Sequence, residues 1–176
     1  LQKLIHQKSF SFHIETIGSN CFDAEIVGLA FSYEKGKGYF VSIPIDKVAS
    51  KNILEEFLPF FENEAIEKIG QETKQTIKIL RNNGIQLKGK LFDTQLAHYL
   101  LQPDMRHDLN VLSETYLNYQ PINLTDLIGK KSKNQLSIRE IDLKKQAEYA
   151  TENADIIFQL KSIFEKDLEE LNLTNL

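Results

Sequence analysis

The sequence predicts an α/β fold: a mixed β-sheet that opens as an antiparallel meander, continues in short parallel strands, and is surrounded by helices. Three observations carry this. The N-terminal quarter holds three stretches of β-type patterning separated by turn residues. The middle of the chain alternates short apolar stretches with helical ones. The C-terminal part is one long amphipathic stretch with a period near 3.6 residues.

In order, Lys8 to Ile14 alternates, with Phe10, Phe12 and Ile14 on one side and Ser11 and His13 on the other, as in a half-buried strand. Asp23 to Phe31 carries a second strand, Gly36-Lys37-Gly38 a turn, and Tyr39 to Ile43 a third strand closed by Pro44. Lys51 to Phe61 is expected to be one helix, with Ile53, Leu54, Phe57, Leu58 and Phe61 inward. Lys68-Ile69-Gly70 is a short strand, followed by a helix through Arg81 that stops at Asn82-Asn83-Gly84. Ile85 to Phe92 contains another extended stretch. Asp93-Thr94 then opens a helix to Leu101, ended by Pro103, and Asp108 to Tyr119 is read as helical. The carboxylates of Asp93 and Asp108 suit helix N-termini. Leu124 to Ile128 gives one or two turns, and Gly129 to Gln135 is a polar loop bearing Lys130, Lys131 and Lys133. The long helix runs from Leu143 to Leu171, with Leu143, Ala147, Ala150, Ala154, Ile157, Phe164, Leu168 and Leu171 as its apolar positions.

Of 176 residues, 41% are hydrophobic and 26% charged, proportions that suit one domain with one real core. No apolar run reaches the roughly 20 residues that span a bilayer, so no membrane partner is expected. Cys21 is the only cysteine, which excludes an internal disulfide and a cysteine-based zinc site and fits a cytoplasmic protein. It is expected to be inert. The net charge of −4 argues against a surface that grips duplex phosphates all round. The chain opens at Leu1-Gln2-Lys3 without a methionine, and residues 1–176 are read as a single domain cut from a longer polypeptide.

Three short stretches carry chemistry: Phe12-His13-Ile14-Glu15-Thr16, Ile69-Gly70-Gln71-Glu72-Thr73-Lys74 running on to Thr76, and Tyr149-Ala150-Thr151-Glu152-Asn153-Ala154-Asp155. In this order and spacing the set resembles the three exonuclease motifs of the proofreading domain of bacterial DNA polymerase I, in the Klenow-type family A enzymes and the DEDDy branch of RNase H-like exonucleases. Leu91-Phe92-Asp93-Thr94, Arg106-His107-Asp108-Leu109, and Gly129-Lys130 with Lys133-Asn134-Gln135-Leu136 resemble family sequence between the motifs, so the resemblance runs from about Phe10 to about Leu168.

The resemblance implies an RNase H-like fold and two-metal chemistry. Two divalent ions about 3.5–4 Å apart clamp the scissile phosphate. At that distance they repel by roughly 4 kcal/mol in bulk water and roughly 16 at an effective dielectric of 20. The family offsets this with an Asp and a Glu two apart on the first strand, an Asp on the middle helix and an Asp on the last. A Tyr four residues before the last Asp positions the attacking water. Here His13 stands at the first Asp, Glu15 matches the Glu, Thr76 stands at the middle Asp, Tyr149 matches the Tyr, and Asn153 replaces the last Asp. Glu15 is then at most the one metal carboxylate.

The expectation is therefore an exonuclease-like domain that binds no metal pair at physiological levels and does not proofread. It would instead serve as a scaffold for the polymerase region of a parent DNA polymerase I in replication and repair. Two alternatives remain open: an active exonuclease using Mg2+ or Mn2+ with altered ligands, and a module that holds a single-stranded 3′ end without cutting it. Gln71, Lys130 and Lys133 are the weak candidates for nucleic-acid contact, DNA otherwise being met through the parent protein. His13 is a zinc or manganese ligand with Glu15 on one reading and a filler of a vacated acid site on the favoured one. Glu72, one turn before Thr76, could reach in. Glu152 is turned about 100° round the helix from Asn153 and so away from the site. Asp155 matches a family acid outside the metal set. His98 and His107 have no metal-ligand spacing and are read as structural.

Overall fold

The computed structural model describes residues 3–18, 20–132 and 135–173. Its sheet has five strands in the order β3-β2-β1-β4-β5, with β1 at Ser9–Ile17, β2 at Glu25–Glu34, β3 at Lys37–Ser42, β4 at Glu67–Gly70 and β5 at Leu91–Asp93. The first three strands pair antiparallel, whereas β4 lies parallel to both β1 and β5. The mixed sheet expected from the sequence is thus present, with β1 at its centre.

One face of the sheet carries an aromatic core. Phe10 and Phe12 from β1 and Phe31 from β2 meet Phe57, Phe60 and Phe61 from the segment after β3. Phe12 and Phe61 meet edge-on at 5.3 Å, and Phe31 stacks on Phe57 at 5.2 Å. That segment is two helices, not the single one expected: α1 at Lys47–Glu55, capped by the Asp46 carboxylate on Ala49 N, and α2 at Leu58–Phe61. Pro59 lies in the first turn of α2, where its missing N–H costs nothing. Continued from α1, it would have broken the ladder.

The other face is covered by α7, Leu143–Glu170. Ala150 and Ala154 sit against Ala30 with Phe40 alongside, so small side chains let the helix lie close. A Cβ on Gly38 would stand 2.5 Å from Thr151 Cβ. The Ser11 hydroxyl donates to the carbonyl of Ala154 at 2.6 Å, with that of Ser32 a second acceptor in reach at 3.1 Å. Beneath α7 the strand is therefore buried on both sides, and the expectation of a half-buried β1 is corrected: Ser11 has no exposed surface.

Behind α7 lies a second core. It is built from α4 (Thr94–Leu101), α5 (Leu109–Leu112) and the π-helical turn Ser113–Leu117 that follows it. Two partners split the apolar stripe of α7. Ile156, Leu160 and Phe164 face this second core, while the expected inward positions Leu143 and Leu171 are 57% and 58% exposed. The remaining helices, α3 at Thr73–Asn82 and α6 at Leu124–Ile128, match the sequence reading closely. Among the described residues no helix is long and apolar enough to cross a membrane.

Candidate active site

Central β1, the start of α3 and the middle of α7 converge on a cleft of about 340 Å³. His13, Thr76, Tyr149 and Asn153 all line it, so three sequence stretches separated by up to 140 residues are brought together. Alternation puts His13 and Glu15 on the same side of β1. Their side chains meet: Nε2 of His13 is hydrogen-bonded to Oε1 of Glu15 at 2.6 Å. Glu15 is buried, 5% exposed, and β1 bulges against β2 immediately after it, which re-aims the strand end. Opposite Glu15, Gly28 leaves room for the Phe40 ring, which a Cβ would meet at 2.5 Å.

On α7, Tyr149 and Asn153 are one turn apart and share a face. The Tyr149 ring meets the His13 ring edge-on at 6.1 Å, and Nδ2 of Asn153 lies 3.5 Å from Nε2 of His13. Burial, and then the charge of Glu15, push the Tyr149 hydroxyl up to about 12, so it stays protonated through the physiological range. The rest of the cleft wall holds the amides Gln75, Gln95 and Asn110 and the acids Glu72 and Asp108. These amides carried no separate signal in the sequence, because side-chain amides are common on any exposed face.

The acids near the cleft have other partners. Glu72, which on the sequence could reach in, does line the cleft; it sits at the entrance to α3 in a left-handed conformation (φ 53°), and its carboxylate accepts from Gln75 Nε2. Asp93 caps two helices at once: Oδ1 accepts from the N–H groups of Gln95 and Leu96, and Oδ2 from the N–H and hydroxyl of Thr73. Asp108 lines the cleft but caps α5 through Val111 N. Glu152 turns away from the cleft and accepts from the Tyr119 hydroxyl at 2.6 Å and from Ile122 N at 2.7 Å. Asp155 accepts from Gly36 N in the β2–β3 turn.

Gln71 lines the cleft, but its amide is engaged internally, donating to the His107 carbonyl and accepting from the Thr94 hydroxyl. Lys130 is exposed on its loop and does not line the cleft. Lys133 lies outside the described residues. His98 and His107, nine residues apart, meet through their Nδ1 atoms at 2.7 Å, and Nε2 of His98 contacts the Tyr116 hydroxyl at 3.0 Å. Burial and the neighbouring His107 lower the His98 pKa.

Comparison with known proteins gives this arrangement a family. A 3′-5′ exonuclease family model matches residues 1–169. DNA polymerase I of Borreliella burgdorferi is 31% identical over all of this chain, which spans 19% of that protein. DNA polymerase I of Pseudomonas aeruginosa is 29% identical over 97% of this chain and 20% of its own length. The chain thus spans about a fifth of the length of the curated relatives it matches. Among solved structures, Brucella melitensis NrnC superposes with a TM-score of 0.77 at 19% identity, covering 97% of this chain and 78% of that one. Pol1 from M. smegmatis, solved with DNA primer-template and dNTP, gives 0.67 at 19% identity, covering 97% of this chain and 26% of that one. These structures share the RNase H-like fold expected from the motifs. The chain belongs to the 3′-5′ exonuclease family, in the form carried by DNA polymerase I.

Proposed function

We propose that this is a 3′-5′ exonuclease domain of a DNA polymerase I that has lost its nuclease activity and serves the polymerase as a structural element. The contact between His13 and Glu15 carries this reading. At the position where the family resemblance places an Asp, an imidazole nitrogen sits 2.6 Å from the buried Glu15 carboxylate and takes up the oxygen a metal would need. Thr76 and Asn153 fill the other two positions with neutral donors. Among the described residues, no three of His, Cys, Asp and Glu converge to hold a metal ion. Magnesium prefers several anionic oxygens, so this donor set does not fit a two-metal centre.

The core that holds the cleft in shape is complete, as the Ser11–Ala154 bond and the double cap at Asp93 show. A fold kept without its ligands supports a mechanical role within a longer polymerase chain acting in DNA replication and repair. The test is a 3′-labelled single-stranded oligonucleotide incubated with the protein and Mg2+, then Mn2+, with Glu15→Ala as the control for contaminating nuclease. No shortening is expected with either metal. Shortening that disappears in Glu15→Ala would overturn the proposal and show that the cleft recruits other ligands.

A further inference from the structure

Where α4 meets the second core, three side chains form a hydrogen-bonded chain. Nδ1 of His98 and Nδ1 of His107 lie 2.7 Å apart, and Nε2 of His98 lies 3.0 Å from the Tyr116 hydroxyl. His98 has no exposed surface and is walled by the Tyr116 and Phe164 rings at 5.3 and 5.4 Å. His107 is half-buried, with the Tyr99 ring edge-on at 5.5 Å. Among the described residues neither imidazole forms an ion pair. Of the charged groups around them, Arg106 and Asp108, on either side of His107, pair with each other at 2.9 Å, and Asp167 on α7 acts on Tyr116.

A contact between two Nδ1 atoms holds only while one hydrogen lies between them, one nitrogen donating and the other accepting. One proton added to the pair leaves that bond in place. A second puts two N–H groups and two positive charges head to head and breaks it. His98 is fixed among rings and cannot turn away, so His107 is the partner that must leave. The backbone of His107 leads into the cleft. Its carbonyl accepts from Nε2 of Gln71 at 2.7 Å, and Gln71, Asp108, Leu109 and Asn110 all line the cleft. We propose that the His98–His107 pair is a proton-operated latch on this wall of the cleft, closed while the rings share one hydrogen and opened when both are charged. Burial and the neighbouring His107 lower the His98 pKa, so the fold resists the charged form. The stability tied to neutral His98 is therefore present above the unfolded value of about 6.5 and is lost progressively as pH falls below it. The latch does not depend on whether the cleft cuts DNA.

Nuclear magnetic resonance of the nitrogen-15-labelled protein, titrated from about pH 8 to about pH 5, tests the latch. The ring nitrogens of His98 and His107 report the pair itself, and the backbone amide of Asn110 and the side-chain amide of Gln71 report the wall. The Asn110 and Gln71 signals should follow the charging of the His98 ring on one curve, with its midpoint below the ordinary histidine value of about 6.5. His13 also lines the cleft, so two variants separate its contribution. His98→Gln should flatten the Asn110 and Gln71 curves, and His13→Gln should leave them unchanged. Flat Asn110 and Gln71 signals in the parent would overturn the proposal, whether or not the rings titrate. So would a step that survives His98→Gln or vanishes in His13→Gln, which would assign it to His13. If His98→Gln does not fold, the parent and His13→Gln curves decide alone. Glu15-dependent cleavage would refute the inert reading and leave the latch standing, whereas a flat titration would remove only the latch.

Discussion

Removing the Asp93 side chain separates a capping role from a catalytic one, and the structure sets the expected cost. In Asp93→Ala, α4 loses the acceptor for Gln95 N and Leu96 N, and α3 loses the acceptor for Thr73 N. Each lost N-cap costs typically ~1 kcal/mol. Thr73 is only 4% exposed, so its hydroxyl, bonded to Oδ2 at 2.7 Å, is left without a partner at a further cost of ~1–3 kcal/mol. The sum is about 3–5 kcal/mol, and at roughly 2–4 °C per kcal/mol for a domain of this size the melting temperature should fall by about 6–20 °C. Urea titration followed by far-ultraviolet circular dichroism measures it, with an unchanged m-value expected because the unfolded surface is the same. Asp93→Asn keeps one carbonyl oxygen and should recover about one cap. A loss below ~0.5 kcal/mol for Asp93→Ala would refute the double-cap reasoning, since a single lost N-cap already costs ~0.5–2 kcal/mol.

Two further outcomes follow from named contacts. Burial lowers the Lys68 pKa to about 8, and its ammonium donates to the carbonyls of Asn63 and Lys88. The folded pKa lies below the unfolded one, so burying the charge costs stability below pH 8, and that cost is relieved as pH rises from about 8 towards the unfolded value. Relative to Lys68→Met, the parent should gain up to ~3 kcal/mol between pH 7.5 and 10.5; parallel stability curves for the two proteins would contradict this. A His13→Asp, Thr76→Asp, Asn153→Asp variant would place three new carboxylates in the cleft wall beside the buried Glu15. Without metal it should melt below the parent, and Mn2+ at 100 times its dissociation constant should return ~2.7 kcal/mol. A melt indifferent to Mn2+ would show that the backbone no longer presents the metal geometry.

Much of the fold could be read from the sequence wherever a local rule decided it. The meander followed from alternation in β1 and from β-type stretches set off by Gly36-Lys37-Gly38 and Pro44, the stop of α3 from Asn82-Asn83-Gly84, and the start of α4 from the capping chemistry of Asp93. The readings that failed depended on what an element packs against. Leu143 and Leu171 sit on the apolar stripe of α7 but overhang its partners, whereas Ile156 and Leu160 face a second core that no single period reveals. Gln146 and Asn153 are buried on the same helix despite being polar. The break before α2 was encoded by Pro59, and the helical reading of Asp108 to Tyr119 passes into a π-helical turn before Asn118 takes a left-handed conformation. In the site, shared faces on β1 and α7 were predictable from period alone. The reach of Asp93 across to Thr73 and the meeting of His98 with His107 were not, because each depends on tertiary distance.

Because α7 closes one face of the sheet, it also orders events during synthesis. The meander is complete once β3 has emerged, but Ala30 and Phe40 get their cover, and Ser11 its bond to the Ala154 carbonyl, only when α7 is made. At roughly 5–20 residues per second, the intervening ~130 residues take on the order of ten seconds. Throughout that interval a nascent chain carries a half-covered sheet whose edge strand β3 is free to pair with a neighbour. A ribosome that stalls before α7 therefore releases a chaperone client or a protease substrate, and not a smaller working domain.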